Sequence, residues 1–324
     1  MCGHATTALG RFLIDTQDQV LFPKCKEVQN RIEGDTIRLN LHAPCGLVKV
    51  AVPCKIGAAP EDVDSSGLPG KLQTNFKRPV SFHSVPSFAV CADLVLDLPE
   101  PRLWPEIRKA RGDRPKVKLD IAYGGAFYAI VHAEELGFCG TEGRILYDKT
   151  TIMALDFATA QLKLYLQDMI QDLLAPVAHV VDKDLLFLYG VTVIDHARPL
   201  GSDMKASGKG RDRNLCFFAD QQLDRSPTGS CVSARIALDV TKGKLALGDK
   251  WTFHSIVSEL SPEDDAEAFV GSAVEHKQFE TAGGGKCVDA FIVQVEGRAW
   301  YVGTETFVSE TEDAIGKGFL VDEI

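Results

Sequence analysis

One short pattern occurs twice, some two hundred residues apart, and it restricts the fold more than any other feature. Cys2-Gly3-His4-Ala5 precedes Ala8, Leu9 and Phe12 at helical spacing, and Thr228-Gly229-Ser230-Cys231 precedes Val232, Ile236 and Ala237. Each puts a nucleophile-type side chain, then glycine, then a small or polar residue at the start of a predicted helix. Such a start offers unpaired N–H groups and the positive end of the helix dipole, so it binds carboxylate and favours the thiolate form of a cysteine. Either tetrad alone also suits an ordinary turn. If a pseudo-twofold fold brings the two starts face to face, a small amino acid fits between them, its carboxylate held by both and its α-carbon flanked by Cys2 and Thr228. That arrangement suits deprotonation at carbon.

The intervening chain is mainly strand-like. Ile37, Leu39 and Leu41 alternate, as do Val48, Val50 and Val52, with Pro44-Cys45-Gly46 turning between them. Val117, Leu119 and Ile121 form a strand, and Tyr123-Gly124-Gly125-Ala126-Phe127 leads into another at Ala129-Ile130-Val131 with a tight backbone approach. Further strands are expected at Leu185 to Ile194, Cys216 to Phe218, Leu245 to Leu247, Phe291 to Val295 and Trp300 to Val302. A helical stripe of Leu155, Ala158, Leu162, Leu166, Met169, Ile170 and Leu173 ends at Pro176 and is read as core packing. Residues 57–79 read as a surface loop, 99–115 as a linker or insertion, and Lys205 to Arg213 as a solvated basic loop. Gly283-Gly284-Gly285-Lys286 lacks the rest of a phosphate-loop motif and reads as a hairpin turn. Strands outnumber helices, which gives an α+β class.

A chain of 324 residues suggests two domains, and 45% hydrophobic with 25% charged residues is a folding composition. The net charge of −10 disfavours nucleic acid and anionic membrane as partners, leaving a small molecule. Nine cysteines form no zinc-type spacing, so no metal site is read, and their odd number in a long chain argues for a reducing compartment. No apolar run is long enough to span a bilayer and no secretory signal pattern opens the chain, so a soluble cytoplasmic protein is expected.

Met1-Cys2-Gly3-His4, Tyr123-Gly124-Gly125, Asp224-Arg225-Ser226-Pro227-Thr228-Gly229-Ser230 and Tyr301-Val302-Gly303-Thr304 together resemble the proline racemase superfamily over nearly the whole chain. The resemblance implies the diaminopimelate-epimerase-like fold, two pseudo-symmetric α/β halves each around a central helix, with the site in the cleft between them. The first half would be residues 1–115 with 304–324 returning to it, truncated at its N-terminus, and the second 116–303. Racemases and epimerases of the family carry cysteine at both helix starts. Thr228 at the second resembles instead the trans-3-hydroxy-L-proline dehydratase branch, with no cofactor and an imino acid substrate. Relatives also suggest a homodimer.

The chemistry agrees with that branch. A Cys2 thiolate can remove the α-proton, whereas an unassisted Thr228 hydroxyl is a far poorer acid or base near neutral pH. Elimination of water needs only one strong base. The resemblance gives Gly3, His4, Gly229 and Ser230 substrate contacts, mainly through backbone amides, and sets Asp224 against the ring nitrogen. A carboxylate there keeps the secondary ammonium charged and so acidifies the α-carbon; helix capping or a salt bridge with Arg225 is its bland alternative. Cys231, nearly one turn beyond Thr228, should be a packed thiol, and the other seven cysteines buried small hydrophobes. The main competing activity is a proline racemase or hydroxyproline epimerase. An amidotransferase with an N-terminal cysteine nucleophile and an inactive remnant are the other readings.

Overall fold

Helix α1 (Gly3–Asp15) starts where the spacing predicts, immediately after Cys2. The computed structural model describes every residue except 1, 17, 57–71, 139–146, 196–208, 259–266, 283, 285, 306, 307, 309, 311 and 313–324, together with the side chain at 29. The expected loop at 57–71, Cys139, the first part of the basic loop and most of 304–324 therefore lie outside the described residues.

After the short helix α2 (Cys25–Gln29), strands β1 (Thr36–Ala43) and β2 (Gly46–Ile56) form the predicted hairpin, with Leu39 opposite Val50 and Ala43 opposite Gly46. Alternation sorts the faces, since Ile37, Leu39, Val48, Val50 and Val52 are buried while Arg38 and Asn40 are exposed. Next come β3 (Leu72–Thr74), β4 (Val80–His83), β5 (Ser87–Asp97), helix α3 (Pro105–Arg111), β6 (Lys116–Tyr123) and β7 (Phe127–His132). Helices α4 (Lys149–Gln167) and α5 (Ile170–Leu174) precede β8 (Leu188–Asp195), β9 (Gly210–Phe218) and β10 (Gln222–Leu223). Helix α6 (Gly229–Thr241), then β11 (Lys250–His254), β12 (Phe269–Glu280) and β13 (Cys287–Gly297), complete the described elements.

Eight strands close into a ring in the order β13, β12, β11, β9, β8, β7, β6, β5, sealed where Ala290 and Phe291 of β13 pair with Phe88 and Ser87 of β5. Helix α6 runs inside it, and every residue from Gly229 to Leu238 is buried. A helix so enclosed is mostly apolar or small, as Gly-Ser-Cys-Val-Ser-Ala is, and its charged residue there, Arg235, is buried in an ion pair with Asp212. Gly124 exists for this packing: a Cβ there would strike the Ser230 carbonyl and lie 2.5 Å from the Ala234 nitrogen. Helices α4 and α5 cover the ring from outside through Leu155, Leu162, Leu166 and Ile170, the predicted stripe, interrupted at Asp168 and Met169. Beyond the ring, β13 continues into pairing with β4, which joins β2, and α1 lies on this extension through Gly10 and Ile14. The opposite face of α1 leaves Leu9 and Phe12 exposed.

Several expectations are corrected. Residues 99–115 are no linker: they contain α3, and Trp104 is fully buried with its indole N–H donating to the Leu136 carbonyl at 2.7 Å. Leu72–Thr74 is a strand edging β2 rather than loop. Strand β8 begins only at Leu188, because Lys183–Leu185 form a 3-10 turn. Gly210–Arg213, read as solvated, lie in β9, where Arg213 is buried against Asp195. Leu245–Leu247 are turn residues, and Trp300–Val302 are exposed without strand pairing. Among the other described cysteines, Cys25, Cys54 and Cys216 are buried, Cys45 and Cys91 only partly so, and Cys287 is exposed. The β12–β13 connection is the predicted hairpin, although 283 and 285 lie outside the described residues. No helix among the described residues is long and apolar enough to cross a membrane.

Candidate active site

The two helix starts meet. A Cβ built on Gly3 would lie 2.6 Å from the Gly229 Cα, and the reciprocal Cβ on Gly229 equally close to Gly3, so only glycine on both sides permits the approach. Phe269 of β12 packs beneath the junction, 3.1 Å from the Gly3 Cβ position. The first N–H groups of both helices, including those of Gly3, His4, Gly229 and Ser230, are therefore gathered around this junction without intrahelical acceptors.

Beside this junction lies a cavity of about 280 Å³ lined by Cys2, Gly3, Asp224, Thr228, Gly229 and Ser230, with Gly125, Ala126, Tyr128, Leu185, Phe187, Tyr189, Phe218 and Ser226 making up the remaining wall. Its size suits a small ring compound, and it gathers six of the seven residues singled out in the sequence. The seventh, His4, contributes no side chain to the lining; its ring packs on Phe269 with centroids 4.7 Å apart. Burial lowers the pKa of His4, opposed by the negative charges of Asp224 and Glu267.

The two caps differ. Cys2 caps α1, its Sγ accepting from the Ala5 N–H at 3.5 Å, and the residue is exposed while lining the cavity. Thr228 occupies the left-handed region (φ 58°), and its side chain makes no cap bond to α6. Its hydroxyl instead donates to Asp224 Oδ2 at 2.8 Å, while Asp224 Oδ1 accepts the Ser226 N–H at 2.8 Å and Ser226 Oγ accepts the Thr228 N–H at 3.0 Å. A β-branched residue at positive φ is strained, and this closed loop of bonds holds it there. Asp224 makes no ion pair with Arg225 among the described contacts; it is tied to the threonine. Thr228 is thus a committed hydrogen-bond donor, whereas Cys2 is exposed and its sulfur only accepts.

Cys231 behaves as predicted. It is fully buried, 3.1 Å from Thr192 Oγ1, and burial pushes its thiol up to about 11. The sequence reading missed the aromatic wall. Tyr128 is fully buried with its hydroxyl 2.7 Å from Ser230 Oγ, and burial raises its pKa. Tyr189 stacks on Phe218 with centroids 5.5 Å apart and meets Tyr128 edge-on at 5.8 Å. Tyr128, Tyr189 and Phe218 come from three neighbouring strands, and only the register that sets Tyr128 and Phe218 opposite Gly190 assembles them.

The proline racemase family profile matches residues 1–320. The trans-3-hydroxy-L-proline dehydratase of Homo sapiens is 38% identical over 325 residues, covering 99% of this chain and 71% of the human protein. The trans-L-3-hydroxyproline dehydratase of Mus musculus is 37% identical with the same coverage. Among solved structures, a hydroxyproline epimerase from Agrobacterium vitis with bound trans-4-hydroxy-L-proline superposes with a TM-score of 0.63 at 19% identity, over 100% of this chain and 71% of the epimerase. That likeness establishes the shared fold. With its facing helix starts and a family match along nearly its whole length, the chain belongs to the proline racemase family.

Proposed function

We propose that the chain is a cofactor-independent hydro-lyase that removes water from trans-3-hydroxy-L-proline. The observation that carries this reading is the asymmetry of the two helix starts: a free thiol at Cys2 faces a Thr228 hydroxyl already donated to Asp224. The dehydratase relatives, near 38% identity along the whole chain, support it.

The substrate carboxylate takes the convergent N–H groups of Gly3, His4, Gly229 and Ser230, where both helix dipoles favour negative charge. Asp224 receives the ring ammonium. Cys2, as thiolate, removes the proton from C2, and the electron pair left there becomes the C2–C3 double bond as the C3–O bond breaks. The departing hydroxide takes up a proton to leave as water, and the enamine tautomerises to 1-pyrroline-2-carboxylate. Thr228 offers no comparable base on the other face, so reprotonation there, which would make the reaction an epimerisation, is handicapped. In this proposal α1 with its strands and α6 within its ring serve as two pseudo-symmetric halves meeting at Gly3 and Gly229.

Incubation with trans-3-hydroxy-L-proline tests the reading by mass and optical rotation. A cyclic imine lighter by one water is expected, and Cys2→Ser should abolish it. Unchanged mass with altered rotation would make the chain an isomerase, and full activity in the Cys2→Ser variant would remove Cys2 from the mechanism.

A further inference from the structure

Once the carboxylate lies at the helix starts and the ring nitrogen at Asp224, carbons 3 to 5 of the substrate ring must face the rest of the wall, which includes Leu185, Phe187, Tyr189 and Phe218. Three of these four offer only hydrocarbon. Among the hydroxyls of this wall, that of Tyr128 is taken by Ser230 and that of Ser226 accepts the Thr228 N–H, whereas that of Tyr189 has no hydrogen-bond partner among the described residues. The Tyr189 ring cannot easily swing away, because it is stacked on Phe218 at 23° and meets Tyr128 edge-on at 85°.

Resting on the dehydratase reading, we propose that Tyr189 is the specificity-determining residue for the ring hydroxyl: its phenol donates a hydrogen bond to the 3-hydroxyl of the substrate and steadies that oxygen as it departs. Partial burial and the nearby Cys216, Cys2 and Asp224 all raise the pKa of this phenol, so it stays protonated and serves as a donor. A phenol held in place by two aromatic neighbours distinguishes a ring bearing a hydroxyl from one without it, because binding the bare ring leaves the donor facing apolar surface with nothing to bond.

Tyr189→Phe in the full chain keeps the ring and its stacking and deletes only the hydroxyl. Two quantities decide: kcat/KM for dehydration of trans-3-hydroxy-L-proline, and the inhibition constant of L-proline, which has no hydroxyl to read. The loss in kcat/KM should exceed any weakening of L-proline by about tenfold or more, the value of one buried hydrogen bond. Equal effects on both ligands, or no effect on either, would overturn the assignment while leaving the dehydratase reading intact. A wild-type chain inert towards trans-3-hydroxy-L-proline would overturn both.

Discussion

Gly3→Ala probes the contact on which the site depends. The added methyl carbon would sit 2.6 Å from the Gly229 Cα, 3.1 Å from its nitrogen and 3.1 Å from Phe269 Cε2. Two of these neighbours are backbone atoms and cannot rotate away. Restoring an ordinary contact of 3.4 Å requires the helix starts to separate by about 0.8 Å, or the Phe269 ring and both backbones to share the shift. Overpacking of this kind costs about 1–3 kcal/mol. Alanine's better helix propensity returns at most ~1 kcal/mol and less at the first position of a helix, so the melting temperature should fall by only a few degrees. Catalysis is the sharper readout, since a misplacement near 1 Å between reacting groups can cost on the order of 10²-fold. The expected result is a kcat/KM for trans-3-hydroxy-L-proline reduced by roughly that factor with the fold retained by circular dichroism. Gly303→Ala, whose methyl group would meet nothing within 4 Å, is the control. A Gly3→Ala enzyme within twofold of wild type would refute the claim that the close approach sets the catalytic geometry.

Other variants test separate parts of the account. Thr228→Cys should introduce exchange at the α-carbon in deuterated water, and no exchange above wild type would count against catalysis from two faces. Arg235→Met leaves Asp212 buried without the guanidinium that bonds it and should cost about 3–5 kcal/mol in urea unfolding, with much of the loss recovered by a second change, Asp212→Leu. His4 has a lowered pKa in the fold, so the unfolded chain binds its proton first on acidification; the stability held by neutral His4 is present above about pH 6.5 and lost as pH falls through the folded value. His4→Gln should therefore lose less melting temperature than wild type between neutral pH and about pH 5, and parallel curves would show that His4 does not matter there.

Local chemistry made the two helix starts legible, because tetrads of cysteine or threonine, glycine and a small residue advertise themselves in a few residues. The alternation of Ile37 to Val52 and the stripe from Leu155 to Ile170 were legible for the same reason. What escaped depends on partners far along the chain. Trp104 looked like part of a linker until the Leu136 carbonyl, from a later turn, supplied its acceptor. Tyr189 and Phe218 form a wall only because β8 pairs with β9, and no spacing within either strand announces it. Arg213 belonged to an apparently solvated basic run, yet its charge is answered by Asp195 on the neighbouring strand. Conversely, Leu245–Leu247 and Trp300–Val302 have strand-like composition but find no pairing edge. The strained threonine was invisible too, since its φ is fixed by the hydrogen-bonded loop around Asp224 rather than by residue type.

The seam between β13 and β5 also governs how the molecule can be made. The ring around α6 can shut only after Ala290 and Phe291 exist to meet Phe88 and Ser87, a junction that bridges most of the polypeptide. During synthesis the helix headed by Thr228 is therefore translated before its enclosure is available, and it must wait, with its small apolar residues uncovered, for β13 to emerge. Closing so large a loop carries an entropic cost that shorter-range pairings do not repay until late. Cys2 gains its finished surroundings only once α6 and Phe269 of β12 have been made.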